Sequence, residues 1–352
     1  MLSLLRRHRP AQALASHGWW QVIGLLPALA PSELGELPPL LESLLAVWVL
    51  IWQGARHAYP KIDPLSLLRR LRFGWQAWAQ RNDWRALREA RAGSQLGRAV
   101  QARHGMVHVV AWPYIHRDWS IGQRTDTVVE HYHRIEQWRW LQVPLGARHV
   151  LTWLEPTASR LSLQIDRPDW FSHEGELVLS LFEGDVRLYS LAFSFGRRNG
   201  QTVVYVGAIQ GRSSEGMAQR YAALTRELHG CRPRDLLVMS MLFIAEAVQI
   251  DKLYAVSDDC RHLRGPRLLG RNRSKPSADY DEIWRDRGGV ASADGFFVID
   301  TRYAPRPLDE IPARKRAMYR RRYDMLGQLR TSLRRRAAAD RSPVDLLREP
   351  AR

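Results

Sequence analysis

Residues 182–211 read FEGDVRLYSLAFSFGRRNGQTVVYVGAIQG, and residues 220–258 read RYAALTRELHGCRPRDLLVMSMLFIAEAVQIDKLYAVSD. Three short runs rich in Val, Leu, Tyr and Phe, at 178–182, 187–195 and 202–209, are separated by Glu183-Gly184-Asp185 and by Gly196-Arg197-Arg198-Asn199-Gly200. Gly, Asn and Asp tolerate positive φ, so these separators predict tight turns, and the runs form an antiparallel meander. Gln210 to Ser214 breaks the last strand. Apolar residues then recur at helical spacing, as Tyr221, Leu224 and Leu228 and as Leu237, Met241, Ile244, Ala245 and Val248. Helices are expected over 217–228 and 234–248, with Gly230 closing the first and Pro233 opening the second. A strand at 252–257 follows at once. A meander, helices and a returning strand make an α+β fold with a mixed, mainly antiparallel sheet.

Composition sets the outer limits. The 352 residues, 45% of them hydrophobic, suffice for a full core. The formal net charge is +17, from 53 basic and 36 acidic residues, and the excess is nearly all arginine. Guanidinium groups bind phosphate and carboxylate in pairs of hydrogen bonds, so an anionic partner is expected: a nucleotide-type donor, nucleic acid or acidic lipid. The opposing reading is an arginine-rich composition with no specific partner. Cys231 and Cys260 alone make neither a disulfide framework nor a four-ligand zinc site, in keeping with a cytoplasmic protein. MLSLLRRHRP at the start lacks an adjoining apolar segment, so secretion is not expected. The most apolar run, LLESLLAVWVLIW at 40–52, is shorter than the roughly 20 residues a bilayer requires and contains Glu42. It is read as a buried or interfacial helix, with no transmembrane span. Trp19, Trp20 and Arg56 resemble interfacial anchors, which leaves peripheral contact with the inner membrane open.

Three regions are expected: a helical N-terminal part (1–95), an α+β domain (96–330) and a basic, mobile tail (331–352). In AWPYIHRDWSIGQRTDTVVEHYHRIEQWRWL, residues 111–141, an extended Trp-Pro-Tyr segment precedes a helix begun by Ser120 or Asp126. His116, His131 and His133 invite a metal, but no ligand partner lies at suitable spacing and none is expected. Past Ser257, His262, Asp279 and Asp281 are candidates for the acid, base and orienting carboxylate of a proton transfer. Alternatively, Asp279 caps the helix that follows and His262 is a solvated loop residue. Phosphate-loop, nucleophile-elbow and common zinc motifs are absent. PARKRAMYRRRYDMLGQLRTSLRRR, residues 312–336, is a basic amphipathic helix with Met318, Met325, Leu326, Leu329 and Leu333 on one face. Either that face docks on the domain with its arginines solvated, or Arg316, Arg320, Arg321 and Arg322 bind anionic lipid or nucleic acid.

The phrases WPYIHRDWS, HYHRIEQW, EGELVLSLF, LYSLAFSF, VYVGAIQG, LTRELHGCRPRDLL, IDKLYAVSDDCRH, ADYDEIW, DGFFVID and EIPARKRAMYRRRYDML resemble the VirK/YbjX family, the DUF535 domain of Gram-negative bacteria, over 98–329. That resemblance implies a cytoplasmic or membrane-peripheral protein linked to virulence, resistance to antimicrobial peptides, stress responses and DNA damage, without established catalytic residues. The order of meander, helix and strand is also similar to the core of GNAT-type N-acyltransferases. This second resemblance implies that Gln210, Gly211, Arg212 and Ser213 form the loop holding a donor, an acyl-CoA or an aminoacyl-tRNA. Ser213 stands where that pattern has a glycine.

Overall fold

The computed structural model describes residues 47–48, 51–56, 59–103, 107–154, 159–264 and 279–340. The chain divides into two compact units, 1–53 and 54–352. Within the first, residues 47–48 and 51–53 are helical; Trp19, Trp20 and most of the apolar run at 40–52 lie outside the described residues. No described helix is long and apolar enough to cross a membrane.

The second unit opens with helices α1 (Pro64–Ala79), α2 (Arg85–Arg88), α3 (Gln95–Ala102), α4 (Val107–Ala111) and α5 (Ile121–Gln137). Strands β1 (Arg148–Trp153), β2 (Leu161–Asp166), β3 (Leu177–Glu183), β4 (Val186–Arg198) and β5 (Gln201–Gly211) follow, then α6 (Met217–Glu227), α7 (Pro233–Ala247) and β6 (Lys252–Val256). The chain continues through α8 (Tyr280–Arg285), β7 (Val290–Ala291), β8 (Phe296–Asp300) and α9 (Ala313–Ala339). Local chemistry fixes the helix starts. Asp63 accepts the Ser66 N–H at 2.9 Å, and Ser120 with Gln123 closes a reciprocal capping box on α5. Between the two starts sequence offered for α5, Ser120 is the one used.

The eight described strands form one sheet in the order β1-β2-β3-β4-β5-β6-β8-β7. Every neighbouring pair is antiparallel except β5 and β6. The expected α+β class, with a mainly antiparallel sheet, is what the chain adopts, and the described elements before β1 are helices. The β4–β5 turn is tighter than its sequence suggested: only Asn199 and Gly200 leave the strands, with φ of 50° and 80°. Such a two-residue turn matches the twist of the flanking strands. Gly196 stays in β4 because the Tyr205 ring fills the place of its missing side chain. All of β2 is buried, as are the centres of β3, β4 and β5, so both faces of the sheet are covered. Helix α5 packs on β4, while α7 packs on β3 to β6 and on α9.

Two expected boundaries meet helices. Ser94 caps α3, which starts at Gln95 and packs on α5. Residues 331–339, expected within a mobile tail, continue α9: Leu333 and Ala337 are buried, and Arg336 donates to the Leu151 carbonyl at 3.2 Å.

Candidate active site

Strands β5 and β6 hold together for three residue pairs, Val204 with Leu253, Tyr205 with Tyr254 and Val206 with Ala255, and then part. At the parting, Gly207 is an extra residue on β5, because Ala192 opposes Ala208 while Phe193 opposes Val206. A side chain at Gly207 would run into the Glu174 carbonyl, so the segment before β3 crosses β5 at close range. Just beyond, the Ile209 N–H donates to the Tyr280 hydroxyl at 2.9 Å instead of to a strand carbonyl. Ligands in sheets with helical crossovers commonly bind at the carboxyl ends of parallel strands, and this is such a place.

Glu174 is the centre of the site. Its carboxylate accepts the Gln210 side-chain amide at 3.0 and 3.1 Å. His262 Nδ1 lies 3.8 Å from Glu174 Oε1 and makes no hydrogen bond among the described residues. The His262 ring stacks on His173 with centroids 5.9 Å apart. Glu174 and His262 are buried, whereas Gln210 is exposed, so the carboxylate sits one side chain below the surface. Burial pushes the Glu174 carboxyl up to about 7, although Arg261 and the Gln210 amide favour its charged form. Burial, with help from His173 and Arg261, draws His262 down to about 3. His173 falls to about 4, through burial and then Arg103. Near neutral pH, both imidazoles are therefore uncharged and Glu174 lies close to half-ionisation, the condition in which a carboxylate serves as a general base.

A second buried group underlies this one. Glu176, wholly buried, is bonded by Arg103 at 2.8 Å and by the Tyr132 hydroxyl, which Arg167 also contacts. Burial disfavours its charge, but Arg103 and Arg167 outweigh burial and keep Glu176 below the usual carboxylate range. Two glutamates separated by Gly175 thus differ in kind: Glu176 is a fixed anion and Glu174 can exchange a proton.

The sequence candidates divide accordingly. His262 and Gln210 meet at Glu174, and His262 is buried rather than solvated. Asp279 caps α8 by accepting the Glu282 N–H at 2.9 Å. Asp281 accepts the Asp258 N–H at 2.9 Å, while Asp258 accepts the Tyr280 N–H at 2.8 Å. These carboxylates fasten α8 to the end of β6 and so bring Tyr280 under β5. Arg261 lies over the Tyr280 ring, 3.9 Å from its centroid, and reaches Asp258 at 3.4 Å. Gly211 ends β5 against the Tyr189 ring, and Arg212 and Ser213 continue into an exposed loop held by backbone bonds, including Arg212 N–H to the Leu188 carbonyl at 2.9 Å. In α9, Arg316 bonds the Ile311 carbonyl and Arg322 the His229 carbonyl, each at 2.9 Å, while Arg320 and Arg321 are exposed without partners among the described residues. The basic loop at 265–278 lies outside the described residues.

Glu174, His173, Arg261 and Tyr280 escaped the sequence reading. A signal was present in His173-Glu174-Gly175-Glu176, two acids immediately before the apolar run Leu177-Val178-Leu179 that opens β3. The WPYIHRDWS segment is nearby: Ile115, at φ 56°, donates its N–H to the His173 carbonyl at 2.7 Å, and the Arg117 N–H bonds the Cys260 carbonyl at 2.8 Å. A β-branched residue at positive φ is strained, and such strain gathers at functional sites. His116, Asp118 and Cys260 place potential metal-binding atoms within 4.8 Å of one another. However, His116 Nδ1 accepts the Asp118 N–H at 3.1 Å, which leaves the proton on Nε2 and no free lone pair for a metal. His131 is also occupied, since its Nδ1 accepts the Phe195 N–H at 3.1 Å.

A family profile described as protein of unknown function (DUF535) matches residues 66–335. The chain belongs to the DUF535 family. The DUF535 match takes in every strand and nearly all described helices, and all the residues around Glu174. Among curated proteins, the chain is similar to the uncharacterized protein YbjX of Escherichia coli K12, 28% identical over 148 residues, which are 42% of this chain and 44% of YbjX. It is likewise similar to an uncharacterized protein of Haemophilus influenzae Rd, 28% identical over 186 residues, 53% of this chain and 60% of the relative. The chain thus spans roughly half the length of these relatives. No solved structure matches.

Proposed function

We propose that this DUF535 chain is an acyltransferase whose reaction centre is Glu174, with Gln210 holding the carboxylate in place and an uncharged His262 beside it. The observation that carries this reading is a buried carboxylate beside the point where the β5–β6 ladder ends, with an amide partner open to solvent. The GNAT resemblance leads one to expect a donor site at this end of β5 and β6. Glu174 takes the proton from an attacking amine or hydroxyl. The attacking nitrogen or oxygen bonds the acyl carbon, the C–S bond of the thioester or C–O bond of the aminoacyl ester breaks, and the proton taken up by Glu174 passes to the departing thiolate or alkoxide. Tyr280 already occupies the Ile209 amide, so the donor approaches from the exposed Gln210 side. The basic surface favours a phosphate-bearing donor, an acyl-CoA or an aminoacyl-tRNA.

The test is mass-spectrometric screening of thioester and aminoacyl-ester donors against amine acceptors, with wild type and Glu174→Gln side by side. Transfer by wild type and its loss by two orders of magnitude or so in the variant are expected. Equal activity of the two, or no transfer with any donor, overturns the reading.

The exposed Arg320 and Arg321 on α9 support a second reading, a non-enzymatic binder of anionic lipid or nucleic acid acting in the envelope or DNA-damage responses that the family resemblance implies. Under this reading, Arg320→Glu with Arg321→Glu abolishes binding to nucleic acid or anionic vesicles, and wild-type affinity falls steeply with salt. Binding that ignores salt removes it.

A further inference from the structure

Helix α1 buries one side and leaves the other uncovered. Ser66, Arg70, Phe73, Gly74 and Ala77 face inward. On the opposite side Leu68 is 63%, Leu71 65% and Trp75 71% exposed, and Ile62, just ahead of the helix, is 87% exposed. Leu65 and Leu67 extend the same apolar surface. At 100° per residue, Leu67, Leu68, Leu71 and Trp75 form one contiguous stripe, with Arg69 and Arg72 along its border. A contiguous apolar stripe of this kind marks a surface that something covers.

Charge indicates what covers it. Lys61, Arg69 and Arg72 are exposed, and Arg69 and Arg72 have no side-chain partner among the described residues, while Lys61 is near Asp63. Between Tyr59 and Arg81 the one acid is Asp63, whose carboxylate is consumed in capping α1 through the Ser66 N–H and hydroxyl. Arg70, by contrast, turns inward to the Tyr59 and Lys61 carbonyls. A basic rim around leucines with an exposed tryptophan complements an anionic bilayer surface: the apolar stripe enters the acyl boundary, the cations meet phosphates and the indole sits at the headgroup level. A second copy of the chain is the poorer occupant, because packing two such faces together would set Arg69 and Arg72 against their equivalents.

We propose that α1 docks this protein on anionic membranes through Leu68, Leu71 and Trp75, lying in the interface without crossing it. The test uses full-length protein sedimented with phosphatidylglycerol/phosphatidylcholine vesicles or with phosphatidylcholine alone. The mixed vesicles should retain the protein and the neutral ones should not. Leu68→Ser with Leu71→Ser should weaken partition by about tenfold or more. These positions are exposed, and an unchanged circular dichroism spectrum shows that the variant is folded. Arg320→Glu with Arg321→Glu in α9 should still bind, which separates this surface from the α9 arginines. Absence of vesicle binding, binding indifferent to the leucine changes, or a dimer in sedimentation velocity that those changes dissolve would each overturn the proposal.

Discussion

Glu174 carries its proton in the pH range where enzymes work because burial acts against Arg261 and Gln210 and wins. The rate of the proposed reaction should therefore rise with pH as Glu174 ionises, with a midpoint near 7 in a kcat/KM profile, and Glu174→Gln should remove that limb. Tyr280 provides a test that needs no substrate. Tyr280→Phe strips the Ile209 N–H of its acceptor, and an unsatisfied buried amide costs roughly 1–3 kcal/mol. A melting point lower by several degrees is expected in calorimetry. At this scale the sequence was partly legible. His262 and Gln210 could be named because they stand beside recognisable strand ends. Glu174 could not, since its partners come from the end of β5 and from beyond β6, and no local spacing records that meeting. Asp279 and Asp281 were candidates by type; Asp279 binds a backbone amide, and Asp281 binds a backbone amide and Arg285.

Among the elements, the meander and α6, α7 and α9 were readable because turn residues and apolar periodicity are local signals. The Gly207 bulge was not, as it exists only in the mismatch between β5 and β4. Gly207→Ala should drive a methyl group into the Glu174 carbonyl, lower stability by about 1–3 kcal/mol and displace the candidate base. A melting-point loss with an intact activity profile would contradict the coupling of bulge to site. The amphipathic pattern placed Leu333 on the apolar face of a helix ending at 336, and the structure carries α9 on to Ala339 with Ala337 also buried. Leu333→Ala is accordingly expected to cost about 2–5 kcal/mol in denaturant unfolding, which a mobile tail would not.

For the whole molecule, the buried imidazoles set the response to acid. His131 and His262 are drawn by burial to about 3 and His173 to about 4, below their ordinary 6.5. The unfolded chain therefore takes up protons first, so their contribution is present above 6.5 and is lost progressively as pH falls below it. Glu174 has the opposite sign: its folded value of about 7 exceeds the ordinary 4.5, so stability falls as pH rises between those values. Three groups outweigh one, and melting temperature should drop between pH 6.5 and 4.5. Glu174→Gln should make that drop steeper.

The three-pair contact of β5 with β6 has a mechanical consequence. Among the described strands it is the sole ladder joining the five-strand meander to the β6–β8–β7 leaf, a seam of three rungs that α7 also bridges. Tyr280 to Ile209 and His262 facing Glu174 are stitches across it. The leaf should open as one unit well below the cost of unfolding the meander, visible in hydrogen exchange as shared, faster rates for the amides of β6, β8 and α8. Whatever settles at Glu174 touches both sides of the seam and tightens it, so slowed exchange in the leaf alone would report a true ligand before any reaction is known.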